Sequence, residues 1–424
     1  MTSSFQYVIE GQHPLRGEVV IGGSELSAQL LIAASILTSH LVTIKNVPKT
    51  RKVDALLECI RFLGIHVETP HTQTVRIHAQ NVVTRVVPLE LAKQTQASML
   101  LLASIFSRTR RAAVAHVDYF PYEPNELETQ LGVLSALSSK PVEKNDDFFT
   151  LQGESFGKEH RLEVPSYWAT AQGIMLAVLA KGQTVLKNIS QDPEIEQLIS
   201  FLNELGAHIE RNENDTLFIE GVNQLQGGEV TVMSDRDEAV FWITAGLLTK
   251  GDLSVSPVKN EFLTSFFHKL KQLNVEYRLE GESIHVWQGN TQMPSVEVSI
   301  KYHPGFLAQW GVLLTPLLTY ADGVSRLVDK TGNYMKLISG LNVYGAETAF
   351  DKKEDEHITL VYGPTKLKGN TISVLDNEAV RVFLLAGLAA EGVTTFHSPI
   401  SLDGIFDHCL EKCEKVGGHI RFLN

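Results

Sequence analysis

The sequence predicts an α/β fold made of six copies of one βαβαββ-type unit, arranged as two groups of three. The first observation is a recurring order of elements: an apolar strand, a helix of small residues, a Gly, a second strand, an amphipathic helix and a further strand. The second is length, because six copies in 424 residues have about 71 residues each, which suits such a unit. The third is size, because a unit this small buries too little surface alone, so the copies are expected to pack together.

The clearest copy lies near the start of the chain. Apolar and polar residues alternate across 42–45, the pattern of a half-buried strand. Val53, Leu56 and Ile60 recur at the spacing of one helix face, and Gly64 follows as a helix stop signal. The predicted elements are strands at 18–21, 41–47 and 65–67 and helices at 28–38 and 53–63.

The other copies are recognised by the same order of elements. A second clear copy has strands at 162–164, 184–189 and 207–210 and helices at 169–180 and 193–205. The remaining copies begin at 228–232 and 371–374 and, more weakly, at 86–89 and 296–298. Three copies would then pack around one pseudo-threefold axis and three around another, with the boundary near Met233.

Composition and charge exclude several classes of protein. Lys and Arg number 37 against 49 Asp and Glu, a net charge of −12, which disfavours binding to nucleic acid. No apolar stretch approaches the roughly 18 residues that span a membrane, and the first residues do not form a signal peptide. Three cysteines are too few for a disulfide framework. We therefore expect a soluble, cytoplasmic protein without nucleic-acid or membrane partners.

Several short segments follow one another in a characteristic order. They are LRGEVVIGG at 15–23, NVPK at 46–49, DPEI at 192–195, DRDE at 235–238 and HPGF at 303–306. Their order and spacing resemble the UDP-N-acetylglucosamine enolpyruvyl transferase family and, more distantly, the 5-enolpyruvylshikimate-3-phosphate synthases. The resemblance extends over essentially the whole chain.

This resemblance implies a two-domain inside-out α/β barrel, in which helices pack inside each domain and sheets face outward. Domain one would span 24–233, and domain two would combine 1–23 with 234–424. The implied reaction joins the enolpyruvyl group of phosphoenolpyruvate to a hydroxyl of UDP-N-acetylglucosamine, which places the family in peptidoglycan biosynthesis. The family uses no metal and no organic cofactor. A small-molecule ligand would bind in a cleft between the domains, while the sequence identifies no protein partner.

The cations that this chemistry requires are missing from the sequence. Phosphoenolpyruvate carries a carboxylate and a phosphate, so its site needs several fixed cations. At seven positions where the resemblance places Lys or Arg, another residue stands: Glu25, Gln96, Glu123, Val164, Tyr334 (after Asn333), Glu378 (two residues after Asp376) and Gly404 (after Asp403). A Glu in a phosphate pocket repels the anion by about 1–4 kcal/mol at 4 Å.

The acid and base positions differ as well. The resemblance gives the base position to Gln309, and an amide is not a base. The loop acid, usually a Cys in the family, corresponds to Asp118 by counting back from Pro124. Some members use Asp there, so Asp118 is our candidate general acid.

A polar cluster at 235–238 is the best-retained part of the family pattern. Asp235, Arg236 and Glu238 are consistent with a hinge and inner-cleft site. They are more typical of an ion network at a helix start, because carboxylates favour a helix N-terminus.

Ser166 lies in a region that contacts the nucleotide in the family, and Trp168 replaces a Gly there. The aromatic side chain would either stack on a ligand or fill the space that an absent ligand leaves.

The segment from His408 to Cys413 brings two thiols and an imidazole close in sequence. Three groups on one short helix are a weak metal signal, and buried free cysteines are the commoner case. We therefore predict no metal there.

Three functions remain open at the level of sequence. The first is a family member that has lost the parent reaction and acts by binding or regulation. The second is a transferase acting on another substrate, with Asp118 as the acid. The third is an intact enolpyruvyl transferase. Because Glu25, Glu123 and Glu378 replace cations, the first function implies a cationic or neutral ligand.

Overall fold

The computed structural model describes residues 5–117, 125–212, 215–287, 289, 292–330, 335–353, 356–374 and 379–423. The chain divides into two compact units. We call Met1–Gly22 with Ser234–Asn424 the split unit and Gly23–Met233 the continuous unit. The limit between Met233 and Ser234 is the same as the predicted one, and the other limit differs by one residue, because Gly23 groups with the continuous unit.

The strands of the described residues are short, mostly of three to seven residues. They are β1 (Phe5–Glu10), β2 (Arg16–Val20), β3 (Leu41–Lys45), β4 (His66–His71), β5 (Thr74–His78), β6 (Val86–Val87), β7 (Arg111–Ala115), β8 (Glu143–Lys144), β9 (Phe148–Gln152), β10 (Glu159–Arg161), β11 (Gln183–Lys187), β12 (His208–Asn212), β13 (Thr216–Glu220), β14 (Gly228–Thr231), β15 (Asp252–Ser256), β16 (Glu276–Glu280), β17 (Ser283–Trp287), β18 (Glu297–Ser299), β19 (Gly323–Asp329), β20 (Glu347–Lys353), β21 (Glu356–Gly363), β22 (Thr371–Ser373), β23 (Val393–Ser398) and β24 (His419–Leu423).

The helices alternate with these strands along the chain. They are α1 (Glu25–Ala34), α2 (Arg51–Phe62), α3 (Leu89–Ala92), α4 (Leu100–Thr109), α5 (Glu126–Ala136), α6 (Tyr167–Ala177), α7 (Pro193–Glu204), α8 (Arg236–Leu248), α9 (Thr264–Gln272), α10 (Ala308–Leu318), α11 (Met335–Ser339), α12 (Ala379–Ala389) and α13 (Cys409–Lys415).

Within the described residues, each unit has three four-stranded sheets with the same strand order. The continuous unit has the sheets β14-β3-β5-β4, β6-β7-β9-β8 and β10-β11-β13-β12. The split unit has β2-β15-β17-β16, β18-β19-β21-β20 and β22-β23-β1-β24. In each sheet the first two strands are parallel and the other pairs are antiparallel. Six sheets of one topology confirm the α/β fold with a repeated unit.

One strand assignment made from the sequence is wrong. The strand predicted to open the first copy, observed as β2, pairs with β15 and not with β3. Strand β14, predicted to open the copy that begins at 228–232, takes the place beside β3 instead. Both strands carry the same local pattern, so periodicity does not distinguish which of them completes which sheet.

The helices and sheets of each unit have opposite burial patterns. In α8, 12 of 13 residues are buried, and α1, α10 and α12 are nearly as enclosed. Strands such as β3 bury alternate residues and expose the others. A helix that is apolar all round must be surrounded by protein, so these helices lie inside and the sheets lie outside. No helix in the described part of the chain is both long and apolar enough to cross a membrane.

Local sequence explains where the helices begin. Helix α2 starts after Thr50, whose side chain accepts a hydrogen bond from the backbone of Val53. Helix α1 starts three residues earlier than predicted because Ser24 caps it in the same way. In the weaker copy that begins at 86–89, the sequence pattern predicts one helix at 92–106. The structure has α3, which ends at Ala92, then a 3-10 turn at Gln96–Met99 and α4.

Candidate functional site

The start of α1 in the continuous unit holds a carboxylate. Ser24 caps the helix, and its Oγ accepts a hydrogen bond from the backbone N–H of Ser27 at 3.2 Å. Glu25 is the first helical residue and is buried. Its Oε1 lies 3.4 Å from Lys52 Nζ, on α2. A negative charge suits this end of a helix because the macrodipole is positive there, so Glu25 is electrostatically stabilised where it stands.

The first turn of α1 is also tied to α7. Ser27 Oγ donates a hydrogen bond to the side-chain oxygen of Gln197. The same oxygen accepts from Met233 N at 3.1 Å, and Gln197 Nε2 donates to Thr231 O at 2.9 Å. Gln197 therefore fixes the end of the continuous unit's chain against α1.

The start of α6 holds a second buried carboxylate. Ser166 is buried and caps the helix, accepting from Ala169 N at 2.9 Å. Its Oγ–H donates to Glu126 Oε1 at 2.6 Å, and Gln130 Nε2 donates to the same oxygen at 3.0 Å. Burial raises the pKa of Glu126, while these two hydrogen bonds act in the opposite direction. The single hydroxyl proton of Ser166 is thus donated within the protein.

The aromatic residues beside Ser166 pack on the core. The rings of Tyr167 and Trp168 lie edge to face, with centroids 5.2 Å apart. Both are half-buried and contact the apolar core of the continuous unit. This packing supports the interpretation that Trp168 fills space, and it leaves part of the indole accessible.

In the split unit the start of α8 is a network of charges. Asp235 caps the helix, with Oδ1 accepting from Asp237 N at 2.8 Å and from Glu238 N at 2.9 Å. Loss of hydration, with the negative charges of Asp237 and Glu238, raises the pKa of Asp235 to about 7, and Arg381 opposes this shift. The carboxyl of Asp235 is therefore poised to change charge near neutral pH.

Glu238 is the most deeply buried acid of this network, at 1% exposure. Its Oε2 accepts from Gly22 N at 2.9 Å. Its Oε1 accepts from Trp242 Nε1 at 3.1 Å and from Lys412 Nζ at 2.6 Å. A buried carboxylate is tolerated only when it is paired and hydrogen-bonded, and Glu238 satisfies both conditions.

Arg236 links α8 to the HPGF segment. It is 4% exposed, and its Nη1 donates to His303 Nδ1 at 3.1 Å. The guanidinium lies 5.6 Å from the ring centroid of Trp310, and Trp310 Nε1 donates to Asp237 Oδ1 at 2.7 Å. The retained DRDE and HPGF segments therefore contact each other.

The predicted site residues fall into separate groups. Asp235, Arg236 and Glu238 form one network, while Glu25 and Ser166 lie at different helix starts of the continuous unit. Gln309 is half-buried on α10 beside Trp310, and Gln96 is half-buried in the 3-10 turn before α4. Exposed Asp403 accepts from Leu410 N at 3.0 Å, near the start of α13. The predicted site residues that lie outside the described part of the chain are Asp118, Glu123, Asn333, Tyr334, Asp376 and Glu378.

The sequence did not identify three partners of these residues. Lys412 is 174 positions from Glu238, and Glu126 is 40 positions from Ser166. Lys52 lies on the polar face of α2, where it resembles any surface lysine. No local motif marks them, because each pairing arises only when separate elements pack.

The thiols near residue 410 are not suited to metal binding. Cys409 and Cys413 are both buried. Burial raises the pKa of Cys413 to about 12 and that of Cys409 well above its usual value. The thiolate is the metal-binding form, so these side chains serve as core residues.

Comparison with known proteins identifies similar chains over the full length. The family model "EPSP synthase (3-phosphoshikimate 1-carboxyvinyltransferase)" matches residues 9–117 and 143–412. UDP-N-acetylglucosamine 1-carboxyvinyltransferase 1 of Carboxydothermus hydrogenoformans is 29% identical over 421 residues, covering 99% of this chain and 98% of the relative. The corresponding transferase of Thermotoga maritima is 28% identical over 428 residues, covering 98% of each chain.

Solved structures match the fold. The enolpyruvyl transferase NikO from Streptomyces tendae superposes with a TM-score of 0.86 at 23% identity, covering 99% of both chains. An EPSP synthase from Acinetobacter baumannii superposes with a TM-score of 0.74 at 16% identity, covering all of both chains. The matches confirm the predicted inside-out α/β barrel fold.

Proposed function

Because the chain belongs to the EPSP synthase family, we propose that it is a transferase homologue that has lost enolpyruvyl transfer from phosphoenolpyruvate and acts by binding a cationic or neutral small molecule. The observation that carries the proposal is Glu25. It stands where the family resemblance places a Lys, and it is buried at a helix N-terminus in an ion pair with Lys52.

Glu25 reverses the charge that the parent reaction needs. Phosphoenolpyruvate is bound through its carboxylate and phosphate by fixed cations. At this position an anionic ligand would meet a carboxylate, and like charges about 4 Å apart repel by about 1–4 kcal/mol. Lys52 is the paired cation, so its charge is already partly neutralised by Glu25.

The other described positions support the same proposal. Val164, Gln96 and Gly404 carry no charge, and Gln309 has no group that accepts a proton from a sugar hydroxyl. The hydroxyl of Ser166, which the resemblance assigns to the nucleotide region, donates its proton to Glu126. Each of these residues has a structural partner or an inert side chain in place of a catalytic group.

The contacts of the residues that match the family pattern are consistent with a structural role. Glu238, Arg236 and Asp235 are engaged with Lys412, His303 and the backbone of α8. A network of this kind stabilises a helix start whether or not catalysis persists. It explains why the DRDE segment is retained while the cation positions are not.

Calorimetric titration tests the proposal at the binding step. Phosphoenolpyruvate is titrated into the full-length protein with and without saturating UDP-N-acetylglucosamine, beside an active 1-carboxyvinyltransferase. We expect the dissociation constant of phosphoenolpyruvate to exceed about 1 mM, which is the upper end of ordinary KM values. Micromolar binding would contradict the proposal.

A thermal-shift series then tests the ligand class. Neutral sugars, nucleosides and amines are compared with phosphorylated counterparts of the same scaffold. A ligand that binds only the folded state raises Tm by mass action. We expect stabilisation from uncharged or cationic compounds, and stabilisation by the phosphorylated compounds alone would contradict the proposed class.

The alternative is an active transferase with Asp118 as general acid. It predicts product formation that disappears in Asp118→Ala and persists in the control Asp146→Ala, because Asp146 is exposed and lies outside the predicted site. Turnover that depends on Asp118 in this way would show that the chain is an active transferase and would contradict the proposed non-catalytic function.

A further inference from the structure

Three potential metal ligands from the two ends of the chain meet on the split unit. Strands β1 and β24 are antiparallel, and their register puts Glu10 directly opposite His419. After Glu10 the backbone turns at Gln12, which has a φ of 62°. This turn brings the ring of His13 onto the ring of His419, with centroids 3.8 Å apart and planes 9° from parallel.

The carboxylate of Glu10 points one oxygen at both rings. Glu10 Oε2 lies 3.6 Å from His419 Nδ1 and 4.0 Å from His13 Nε2. The other oxygen, Oε1, accepts from Arg421 Nη2 at 2.8 Å. The arginine therefore orients the carboxylate and leaves Oε2 directed toward the two imidazoles.

We propose that Glu10, His13 and His419 bind a zinc ion that links the first and last strands of the chain. The three residues each offer one ligand atom, and these atoms all lie within 4.8 Å of one another. The two rings are stacked, so their nitrogen lone pairs lie in nearly parallel planes. Rotation of one imidazole around its Cβ–Cγ bond would direct both lone pairs at one ion, at the distance of about 2.0–2.2 Å found in zinc sites.

The ligand types select the class of metal. Two imidazoles and one carboxylate suit zinc and its neighbours nickel and copper. Magnesium and calcium prefer oxygen ligands throughout. All three ligands are partly exposed, with side-chain exposures of 37–53%, so the ion would keep at least one water and exchange with solvent.

The site has a structural consequence that is independent of the proposed function. Strand β1 lies between β23 and β24 in its sheet. A metal ion that binds only the folded protein stabilises the folded state by mass action. Zinc would therefore hold the N-terminal strand in the sheet and raise the thermal stability of the full-length protein.

Calorimetry on tag-free, chelator-treated full-length protein tests the site directly. Titration with zinc chloride is expected to show one saturable site. His13→Ala and His419→Ala should each weaken binding at least 10-fold, since even outer-shell changes cost 10–100-fold. His66→Ala is the matched control, because His66 forms an exposed pair with Glu68 at 2.8 Å without belonging to the three-ligand cluster.

A second variant separates ligand loss from local disorder. Glu10→Gln keeps the size of the side chain and an oxygen that can accept from Arg421, but it removes the negative charge of the ligand, so it should weaken zinc binding at least 10-fold while the fold stays intact. Cobalt absorption in the visible region, which reports ligand geometry, should appear with the native protein and vanish in His419→Ala. The absence of saturable zinc binding, or equal affinity in the native protein and both His variants, would overturn the proposal.

Discussion

Glu238 and Lys412 form a buried ion pair, with Oε1 and Nζ 2.6 Å apart, between the first turn of α8 and α13. The side chain of Glu238 is 1% exposed and that of Lys412 is 15% exposed. The carboxylate also accepts from Gly22 and Trp242. The pair therefore joins the N-terminal segment, α8 and the C-terminal helix of the split unit.

Removal of Lys412 is expected to be strongly destabilising. Lys412→Ala leaves the charge of Glu238 buried without its cation, which typically costs about 3–5 kcal/mol. Lys181→Ala is the control, because Lys181 and Glu154 form a 2.9 Å pair that is exposed on both sides, and exposed ion pairs contribute little to stability. Urea unfolding of both variants measures the difference. Equal losses of stability in both variants would contradict this account.

Substitution of Asp235 is expected to change the pH dependence of stability. Its pKa is about 7 in the folded protein against an ordinary value of 3.8. The folded state therefore holds a proton that the unfolded state releases between these values, so Asp235 contributes stability below about pH 4 that is lost as pH rises to 7.

Asp235→Asn removes that titration and keeps an oxygen that caps α8. We expect the Tm of the variant to match the native Tm near pH 4 and to exceed it near pH 8. Differential scanning fluorimetry across pH 4–8 measures the difference in Tm between the variant and the native protein. A Tm difference that stays constant from pH 4 to pH 8 would show that Asp235 does not titrate in that range.

The Ser166–Glu126 hydrogen bond predicts an asymmetry between two substitutions. Ser166→Ala removes the cap of α6 and a donor to a buried carboxylate, so a loss of about 1–3 kcal/mol is expected. Glu126→Gln keeps an oxygen that accepts from Ser166 and avoids burying a charge. It should be neutral or stabilising. Chemical denaturation measures the free energy of unfolding of both variants. A larger loss in Glu126→Gln than in Ser166→Ala would contradict the prediction.

Glu25→Lys restores the charge that the family resemblance places at that position. It also opposes the dipole of α1 and faces Lys52, so we expect a loss of about 1–2 kcal/mol. The smaller change Glu25→Gln should cost less than half of that. Neither variant is expected to gain enolpyruvyl transfer, because the other cations are still missing. Enolpyruvyl transfer by Glu25→Lys would show that this one residue accounts for the proposed loss of catalysis.

The sequence predicted the elements whose patterns are local. The alternation across 42–45 and the apolar face of 53–63 correspond to β3 and α2. The partner of β3 was not predictable, because β2 and β14 have equivalent patterns and only the path of the chain decides between them.

The contacts of the candidate site residues were predictable only where they are local. The DRDE segment is local, and the structure places its charges in one network. The partner of Glu238 lies 174 residues away, and Glu10 and His419 lie at opposite ends of the chain. Such pairings depend on sheet register and helix packing, which a single sequence does not specify.

The most direct test of the proposed loss of catalysis is phosphate release from phosphoenolpyruvate in the presence of UDP-N-acetylglucosamine. The full-length protein is assayed beside an active 1-carboxyvinyltransferase at equal concentration. The account predicts release no faster than in the protein-free control. Release at a rate near that of the active enzyme, abolished in Asp118→Ala, would contradict it.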